Sequence, residues 1–388
     1  MQIVVFNSFF PPAFLGGGPI RTLGAMVTSA PPEFRVSVVT TNTDLGRTTP
    51  LDVVADEWVP YANGEVFYSS TSSWLRLFRA LSEARSRRPR IVYANSFFDA
   101  KFSILPLLLF AVGWLRPDLW VIAPRGEFAL SALRLKGWKK RPYILFFKAM
   151  GLARRVSWHA SSSAEAADVK RVFGNSAPVV IRENDTLLPQ YAAAPIPSPA
   201  DGPLRAVALS RVSPVKGIDT LLAGLSQVGS PLILNIIGPP EDKQYYHRCQ
   251  AIVASLPTHI EVNFLGALPN DMVREVLRQY DVMLCPTKGE NFGHAIAEAL
   301  SSSCPVLCAD VTPWSARLSA GGGMVVSPNT PDGWTAAVSE YARQSTGELL
   351  RRKQRAGAIY EEWRSESVQS HAFSLFAEVL RNGDRTKA

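Results

Sequence analysis

The chain has few cysteines, few charged residues and no long apolar run. Its four cysteines have neither the spacing of a zinc site nor that of a disulfide framework, so we expect free thiols in a reducing cytoplasm. They are Cys249, Cys285, Cys304 and Cys308. The longest apolar run, residues 102–115, contains Pro106 and is shorter than the roughly 20 residues that span a bilayer. It predicts a buried helix, and the uncharged N-terminal residues argue against a secretory signal.

Charged residues make up 19% of the chain and hydrophobic residues 47%, which is typical of a globular protein. A length of 388 residues suffices for two domains with separate cores. The formal charge of +8 predicts an anionic partner, such as a nucleotide or an acidic lipid surface. No nucleic-acid-binding module accompanies this charge, so we predict no nucleic-acid partner.

Apolar strand candidates alternate with helical patterns in both halves of the chain. In the first half they are residues 3–7, 36–41, 91–95, 120–124, 156–160 and 179–181. After a segment rich in Ala and Pro, they are residues 204–209, 232–237, 262–265, 282–285, 306–309 and 324–326. The alternation predicts an α/β fold with two doubly wound parallel sheets, a linker at 191–203, and a ligand cleft between domains at the strand carboxyl ends.

Two carboxylates, Glu290 and Glu298, are separated by seven residues. The first follows a predicted strand, and the second lies about one turn into a helix that begins near Gly293. Such a helix start offers N–H groups and the positive end of a dipole to an anion. One carboxylate can then bind sugar hydroxyls and the other a ribose. Alone, this spacing is more typical of an ordinary capped helix with two solvated glutamates.

A second motif, SRVSPVKG at residues 210–217, follows the predicted strand 204–209. Arg211 and Lys216 lie five positions apart across a turn that contains proline, so both can reach one diphosphate. An isolated pair of this kind is usually a solvated basic loop. The position after a strand and the acidic pair downstream favour the diphosphate interpretation.

Together, SRVSPVKG and GENFGHAIAEAL at residues 289–300 resemble the paired signature of the GT-B retaining glycosyltransferases of family 4. The resemblance implies that Arg211 and Lys216 hold the donor diphosphate, that Glu290 contacts the donor sugar, and that Glu298 binds the ribose. It also implies that Asn291, Phe292 and Gly293 surround the sugar and phosphate through their backbone. His294, at the helix start, is a further candidate donor to a phosphate or sugar oxygen.

The resemblance further implies two Rossmann-like domains that face each other across a cleft. Residues 1–190 would bind the acceptor, residues 204–365 would bind the nucleotide-diphosphate sugar, and residues 366–388 would form a helix that crosses back to the first domain. The donor is a co-substrate, so we predict no cofactor. Two cations on the leaving diphosphate also make a metal unnecessary. The expected reaction is sugar transfer, with retention, to a hydroxyl of a glycan or lipid-linked oligosaccharide in cell-surface polysaccharide or lipopolysaccharide synthesis.

Three successive glycines, Gly16 to Gly18, lie between the first strand and a helix. Glycine lets a backbone approach an anion or sugar closely, and a helix start follows it. From these residues alone, a plain turn is an equal interpretation. The resemblance, in which this loop faces the donor phosphates, favours Gly17 and Gly18 as donor-binding residues.

The acceptor side departs from the family pattern. Many relatives carry a His-Gly pair at a strand end where this chain has Arg125 and Gly126, and Asn95 also stands where a histidine is common. Arginine stays protonated at neutral pH and cannot act as a base. Glu127 is predicted either to bind an acceptor hydroxyl or to pair with Arg125.

The segment from residue 134 to residue 155 combines basic and aromatic side chains without any acid. Basic residues near an anionic membrane contribute about 1 kcal/mol each, and aromatic rings suit the headgroup layer. The segment therefore predicts either peripheral docking at the inner face of the membrane or a solvated basic helix face. Two alternatives to the transferase also stay open: a nucleotide-sugar epimerase, and a catalytically silent glycan-binding subunit.

Overall fold

The structure is a computed structural model that describes residues 1–70, 74–134, 137–199, 202–367 and 370–385. The chain divides into two compact units. The first unit comprises residues 1–187 together with residues 369–388, and the second comprises residues 188–368. Each unit is an α/β domain built on one sheet.

The first unit contains an eight-stranded sheet in the order β3-β4-β2-β1-β5-β6-β7-β8. Its strands are β1 (Gln2–Phe6), β2 (Arg35–Thr41), β3 (Trp58–Tyr61), β4 (Gly64–Ser69), β5 (Ile91–Ala94), β6 (Leu119–Ile122), β7 (Ser157–Ala160) and β8 (Val179–Ile181). All neighbours pair in parallel except β3, which forms an antiparallel hairpin with β4. The strand order reverses between β1 and β5, so a ligand site is expected at the carboxyl ends of these two strands.

Helices cover both faces of this sheet. They are α1 (Gly18–Thr28), α2 (Trp74–Ser86), α3 (Leu105–Ala111), α4 (Leu130–Arg134), α5 (Gly137–Ala149), α6 (Ser163–Phe173) and α14 (Ala372–Arg385), with short turns at Ala100–Ile104 and Leu152–Arg154. Leu81 of α2 and Phe147 of α5 pack into one apolar core, whereas Leu23 of α1 and Phe376 of α14 pack into another. Residues that alternate along β1 enter the two cores in turn: Val4 lies in the first and Val5 in the second.

The second unit contains a six-stranded parallel sheet in the order β11-β10-β9-β12-β13-β14. Its strands are β9 (Leu204–Leu209), β10 (Leu232–Ile237), β11 (Ile260–Gly266), β12 (Val282–Cys285), β13 (Val306–Ala309) and β14 (Gly323–Val326). Its helices are α7 (Ile218–Leu225), α8 (Lys243–Val253), α9 (Asn270–Leu277), α10 (His294–Ser301), α11 (Ser315–Arg317), α12 (Pro331–Ala342) and α13 (Thr346–Glu366), with short turns at Pro214–Lys216 and Leu318–Gly322. Numbered within the unit, the strand order is 3-2-1-4-5-6, as in dinucleotide-binding folds. The order reverses between β9 and β12.

Two sequence predictions about the first unit are wrong or incomplete. The hairpin of β3 and β4 was not predicted, although β4 pairs with β2 over six residues. Residues 102–115 are not one buried helix: α3 ends at Ala111, and Leu108 and Val112 are 37% and 78% exposed.

The prediction of free cysteines is confirmed, since all four thiols are free. No helix in the described part of the chain is both long and apolar enough to cross a membrane.

A buried carboxylate, Asp281, holds several segments of the second unit together. It accepts hydrogen bonds from the Arg205 backbone and side chain, from Ser198 Oγ at 2.6 Å and from Lys353 Nζ at 3.1 Å. Lys353, on α13, is 1% exposed and also donates to the Ile196 carbonyl oxygen at 2.9 Å. Burial acts against the charged carboxylate, but the hydrogen bonds from Arg205 and Ser198 outweigh burial and lower the pKa of Asp281. Part of segment 191–203, predicted as a linker, is therefore bonded to the second unit.

Replacing Lys353 with methionine tests this cluster. Methionine keeps the apolar stem but leaves Asp281 with Arg205 as its only cationic partner among the described residues. Because breaking a buried pair leaves an undercompensated charge, we expect the free energy of unfolding to fall by about 2–4 kcal/mol in urea denaturation. Arg351→Met, at an exposed position of the same helix, is the control. A loss for Lys353→Met as small as that of the control would contradict the assignment.

Candidate functional site

Two loops of the second unit follow the adjacent strands between which the strand order reverses. The first, residues 210–217, follows β9, and the second, residues 286–293, follows β12. Ligands of open parallel sheets bind beside the carboxyl ends of strands at such a point. The two motifs found in the sequence are therefore neighbours in space.

The two loops pack directly against each other. The backbone N–H of Lys288 donates to the Val215 carbonyl oxygen at 2.8 Å, and Thr287 Oγ1 donates to the same oxygen at 3.4 Å. Gly217 has a φ of 64°, and a β-carbon there would lie 2.2 Å from the Pro286 carbonyl oxygen. Both the left-handed backbone and the close approach require glycine at this position.

Lys216 and Glu290 meet at this junction. The Lys216 ammonium forms an ion pair and hydrogen bond with Glu290 Oε1, and the two side chains are 17% and 19% exposed. Each charge thus holds the other at the carboxyl edge of the sheet. Partial burial raises the strength of such a pair above that of an exposed one.

Arg211 has a different partner. Its guanidinium donates to Glu241 Oε1 at 2.5 Å, with side chains 33% and 39% exposed. Glu241 lies in the loop after β10, the strand next to β9. Glu241 was not among the predicted site residues, although its place shortly after a predicted strand end was an available signal.

The start of α10 is fixed by Trp314. The indole N–H of Trp314 donates to the Phe292 carbonyl oxygen at 2.5 Å. Gly293 has a φ of 81°, and a β-carbon there would lie 3.1 Å from the Trp314 ring. Phe292 is 5% exposed and packs on His294 with ring centroids 4.6 Å apart. Its side chain therefore belongs to the apolar core of the second unit.

The remaining predicted donor-binding residues of the second unit also lie at this end of its sheet. Asn291 is partly exposed in the loop that precedes α10, and Glu298 is 7% exposed within α10. The helix start adds the partial positive charge of its N–H groups beside the Lys216–Glu290 pair. Cation, carboxylate and helix start together suit an anion that carries hydroxyl groups.

The glycine loop of the first unit is held by a buried acid. Asp44, 5% exposed, accepts from the backbone N–H of Phe14 at 2.9 Å and from that of Leu15 at 3.1 Å. Gly17 has a φ of 72° and precedes α1, which begins at Gly18. Burial lowers the pKa of Arg21, in the first turn of this helix, to about 10. Asp44 was missed because nothing near it in sequence indicates this long-range contact.

One of the two alternatives predicted for Glu127, pairing with Arg125, is not seen among the described residues. Its carboxylate accepts instead from Ser96 Oγ at 2.6 Å and from the backbone N–H of Phe97 at 2.6 Å. Binding of an acceptor hydroxyl stays a prediction. Burial raises the pKa of Glu127 to about 7, partly offset by these hydrogen bonds. The carboxylate organises the loop after β5, which the sequence alone could not show.

Arg125 and Asn95 are in contact, at the ends of neighbouring strands. Arg125 Nε donates to Asn95 Oδ1 at 2.7 Å, and a second nitrogen donates to Tyr93 Oη at 2.7 Å. The Tyr93 hydroxyl in turn bonds to His159 Nδ1 at 2.7 Å. Burial lowers the pKa of His159 well below its ordinary value, so the ring is neutral at physiological pH. His159 is therefore a core histidine.

Part of the second unit is similar to a known protein family. Residues 195–358 match the family model "Glycosyl transferases group 1". The D-inositol 3-phosphate glycosyltransferases of Nocardia farcinica and Rhodococcus erythropolis are 29% and 26% identical over 139 and 146 residues, or 34% and 36% of this chain. The match spans only about a third of these relatives, 31% and 33% of their lengths.

Solved structures of GT-B glycosyltransferases share the fold over nearly the whole chain. Anabaena Alr3699/HepE in complex with UDP and glucose has a TM-score of 0.71 and 16% identity, covering 97% of this chain and 100% of its own. WaaG, a glycosyltransferase involved in lipopolysaccharide biosynthesis, has a TM-score of 0.64 and 13% identity, covering 95% and 100%. The predicted GT-B fold class, with two doubly wound α/β domains, is confirmed.

Replacing Gly217 with alanine tests the junction of the two loops. The new methyl group meets the Pro286 carbonyl, and alanine is strained at positive φ, so we expect a loss of about 2–4 kcal/mol in the free energy of unfolding. Thermal and urea unfolding measure it. Gly229→Ala is the control, since no atom lies within 4 Å of a β-carbon there. Equal stability of the two variants would show that the loops do not depend on this contact.

Proposed function

We propose that this protein transfers a sugar from a nucleotide-diphosphate donor to a hydroxyl of a glycan or lipid-linked oligosaccharide. The single observation that carries the proposal is the meeting of Lys216 and Glu290 where the strand order reverses. The group 1 domain match and the fold shared with HepE, which was solved with UDP and glucose, support it. We infer family 4, with retention at the anomeric carbon, from the paired motif.

The proposed chemistry centres on the leaving diphosphate. Arg211 and Lys216 bind it and neutralise the charge that develops as the glycosidic bond breaks, which is the main electrostatic demand of the transition state. Because these two cations supply the positive charge, we propose that the transfer needs no divalent metal. The departing phosphate oxygen accepts the proton of the attacking hydroxyl.

The carboxylates and backbone position the donor. We propose that Glu290 accepts hydrogen bonds from the sugar hydroxyls and that Glu298 binds the ribose. The backbone of residues 291–293 and His294 surround the diphosphate and sugar. The Lys216–Glu290 pair holds both side chains in place, and the donor offers each of them a new partner of suitable charge or polarity.

Removing either cation is expected to abolish transfer. For Lys216→Ala and Arg211→Ala we expect kcat/KM to fall at least about 100-fold, since a charge-assisted contact in a closed site is worth about 3 kcal/mol or more. Lys170→Ala, an exposed lysine on α6, is the control. Thermal shift with UDP-, GDP- and ADP-sugars first identifies the donor.

The same assay separates the alternatives. Near wild-type turnover in either cation variant contradicts the diphosphate assignment. Consumption of the donor without acceptor, yielding an isomerised sugar nucleotide, would indicate an epimerase. Donor binding without transfer or hydrolysis would indicate a silent glycan-binding subunit.

We further propose that the protein acts in the cytoplasm and docks on the inner face of the membrane. Three apolar side chains of α5 are exposed to solvent: Trp138 at 75%, Leu145 at 66% and Phe146 at 42%. Exposed basic residues lie between and beside them, namely Lys139, Arg141 and Lys148; Lys136 lies outside the described residues. Apolar side chains among cations suit an anionic headgroup layer, where a lipid-linked acceptor for polysaccharide or lipopolysaccharide synthesis is presented.

Vesicle flotation tests this docking. We expect wild-type protein to float with vesicles that contain phosphatidylglycerol and not with neutral phosphatidylcholine vesicles. Charge reversal to glutamate at Lys139, Arg141 and Lys148 should abolish flotation, since each basic residue contributes about 1 kcal/mol. The control reverses three exposed charges elsewhere: Arg35, Lys170 and Arg351. Flotation that is independent of lipid charge would remove the proposal.

A further inference from the structure

We propose that Arg125 binds an anionic group, a phosphate or a carboxylate, on the acceptor. The inference rests on the proposed transferase function and adds the chemical class of the acceptor. It derives from a cluster of polar side chains at the carboxyl ends of β5, β6, β7 and β8, all within the first unit.

Three uncharged side chains accept hydrogen bonds from Arg125 and hold its side chain. Its three nitrogens donate to Asn95 Oδ1, to Tyr93 Oη and to Asn184 Oδ1. Asn95 is 3% exposed and Tyr93 is fully buried, so these contacts fix the guanidinium in direction. They use three of its five N–H groups, and one N–H remains on each terminal nitrogen.

The second arginine of the cluster, Arg182, has its charge neutralised by a carboxylate. Arg182 forms two bonds of 2.7 Å with Asp185, with side chains 9% and 10% exposed. Glu165, the other acid of the cluster, accepts from the Gly126 N–H at 2.6 Å and from the Ser161 N–H and hydroxyl at 2.7 Å. Among the described residues, Arg125 thus has no carboxylate in contact, whereas Arg182 has one.

The position of Arg125 suits a ligand. Asn95 follows β5 and its amide contacts Pro19 O at 3.4 Å and Asn7 Oδ1 at 3.5 Å, which lies just after β1. Arg125 is therefore linked to the point between β1 and β5 where the strand order reverses. It also has a φ of 50°, a costly conformation for a non-glycine residue, and such conformations concentrate at ligand sites.

The chemistry of the guanidinium selects the ligand class. Arginine offers a planar fork of N–H groups that matches the oxygens of a phosphate or carboxylate. A partly buried cation held only by neutral dipoles gains most from an anion that completes its coordination. The permanent positive charge of Arg125 prevents it from acting as a base. The same charge equips it to recognise a charged acceptor.

Binding of inorganic phosphate tests the inference directly. The measurement is a thermal-shift titration at constant ionic strength, with acetate as a second arm that represents carboxylates. Every protein carries Lys216→Ala, so that the diphosphate site does not contribute. We expect saturable stabilisation by at least one anion, and a Kd about 10- to 100-fold weaker in Arg125→Gln. Arg125→Lys, which keeps the charge but not the fork, should be intermediate.

The controls separate this site from the donor site and from misfolding. Arg134→Gln removes an exposed arginine of α4 and should bind the anion like its parent. Melting temperatures without anion report folding of each variant. The inference is overturned if neither anion stabilises the parent saturably, or if Arg125→Gln binds as tightly as the parent. Donor binding by Arg125→Gln with Lys216 intact is measured separately. If this protein does not bind the donor, the result concerns the transferase proposal, and the anion titrations still decide the anion site.

Discussion

The close approach of two loops at Gly217 and Pro286 is the constraint on which the candidate site depends. With any side chain at Gly217, the loop after β9 would be pushed from the loop after β12. The distance between Lys216 and Glu290 follows from that contact, because each residue lies within a few positions of it. A cation and an acid separated by 74 positions in sequence thus share one edge of a sheet.

The second unit could be predicted almost element by element from the sequence. Buried parallel strands are short apolar runs, and the predicted segments 204–209, 232–237, 282–285 and 306–309 coincide with observed strands. The residues that carry the chemistry come directly after two of these runs. Since parallel strands present their carboxyl ends at one edge, sequence position alone was enough to bring the two motifs together.

Other features depend on pairings that no local pattern encodes. The hairpin of β3 and β4 lies at one edge of the sheet, and its apolar runs are short: a proline interrupts β3, and β4 has only three consecutive apolar residues. Glu127 could be assigned to Arg125 by proximity in sequence, yet its carboxylate turns towards the loop after β5. Three further contacts join residues that are 22 to 30 positions apart, and they involve Asp44, Glu241 and Trp314. Over such separations the amino-acid composition does not indicate which residues meet.

Helix α14 gives the first unit an unusual dependence on distant sequence. Its residues Phe373, Phe376 and Leu380 belong to the same apolar core as Leu23 and Met26 of α1. During synthesis, residues 1–187 leave the ribosome long before α14 does, with the whole second unit emerging in between. The part of the first sheet that α14 covers beside α1 then stays exposed until α14 is synthesised. The first unit can therefore complete its core only after the second unit has been synthesised.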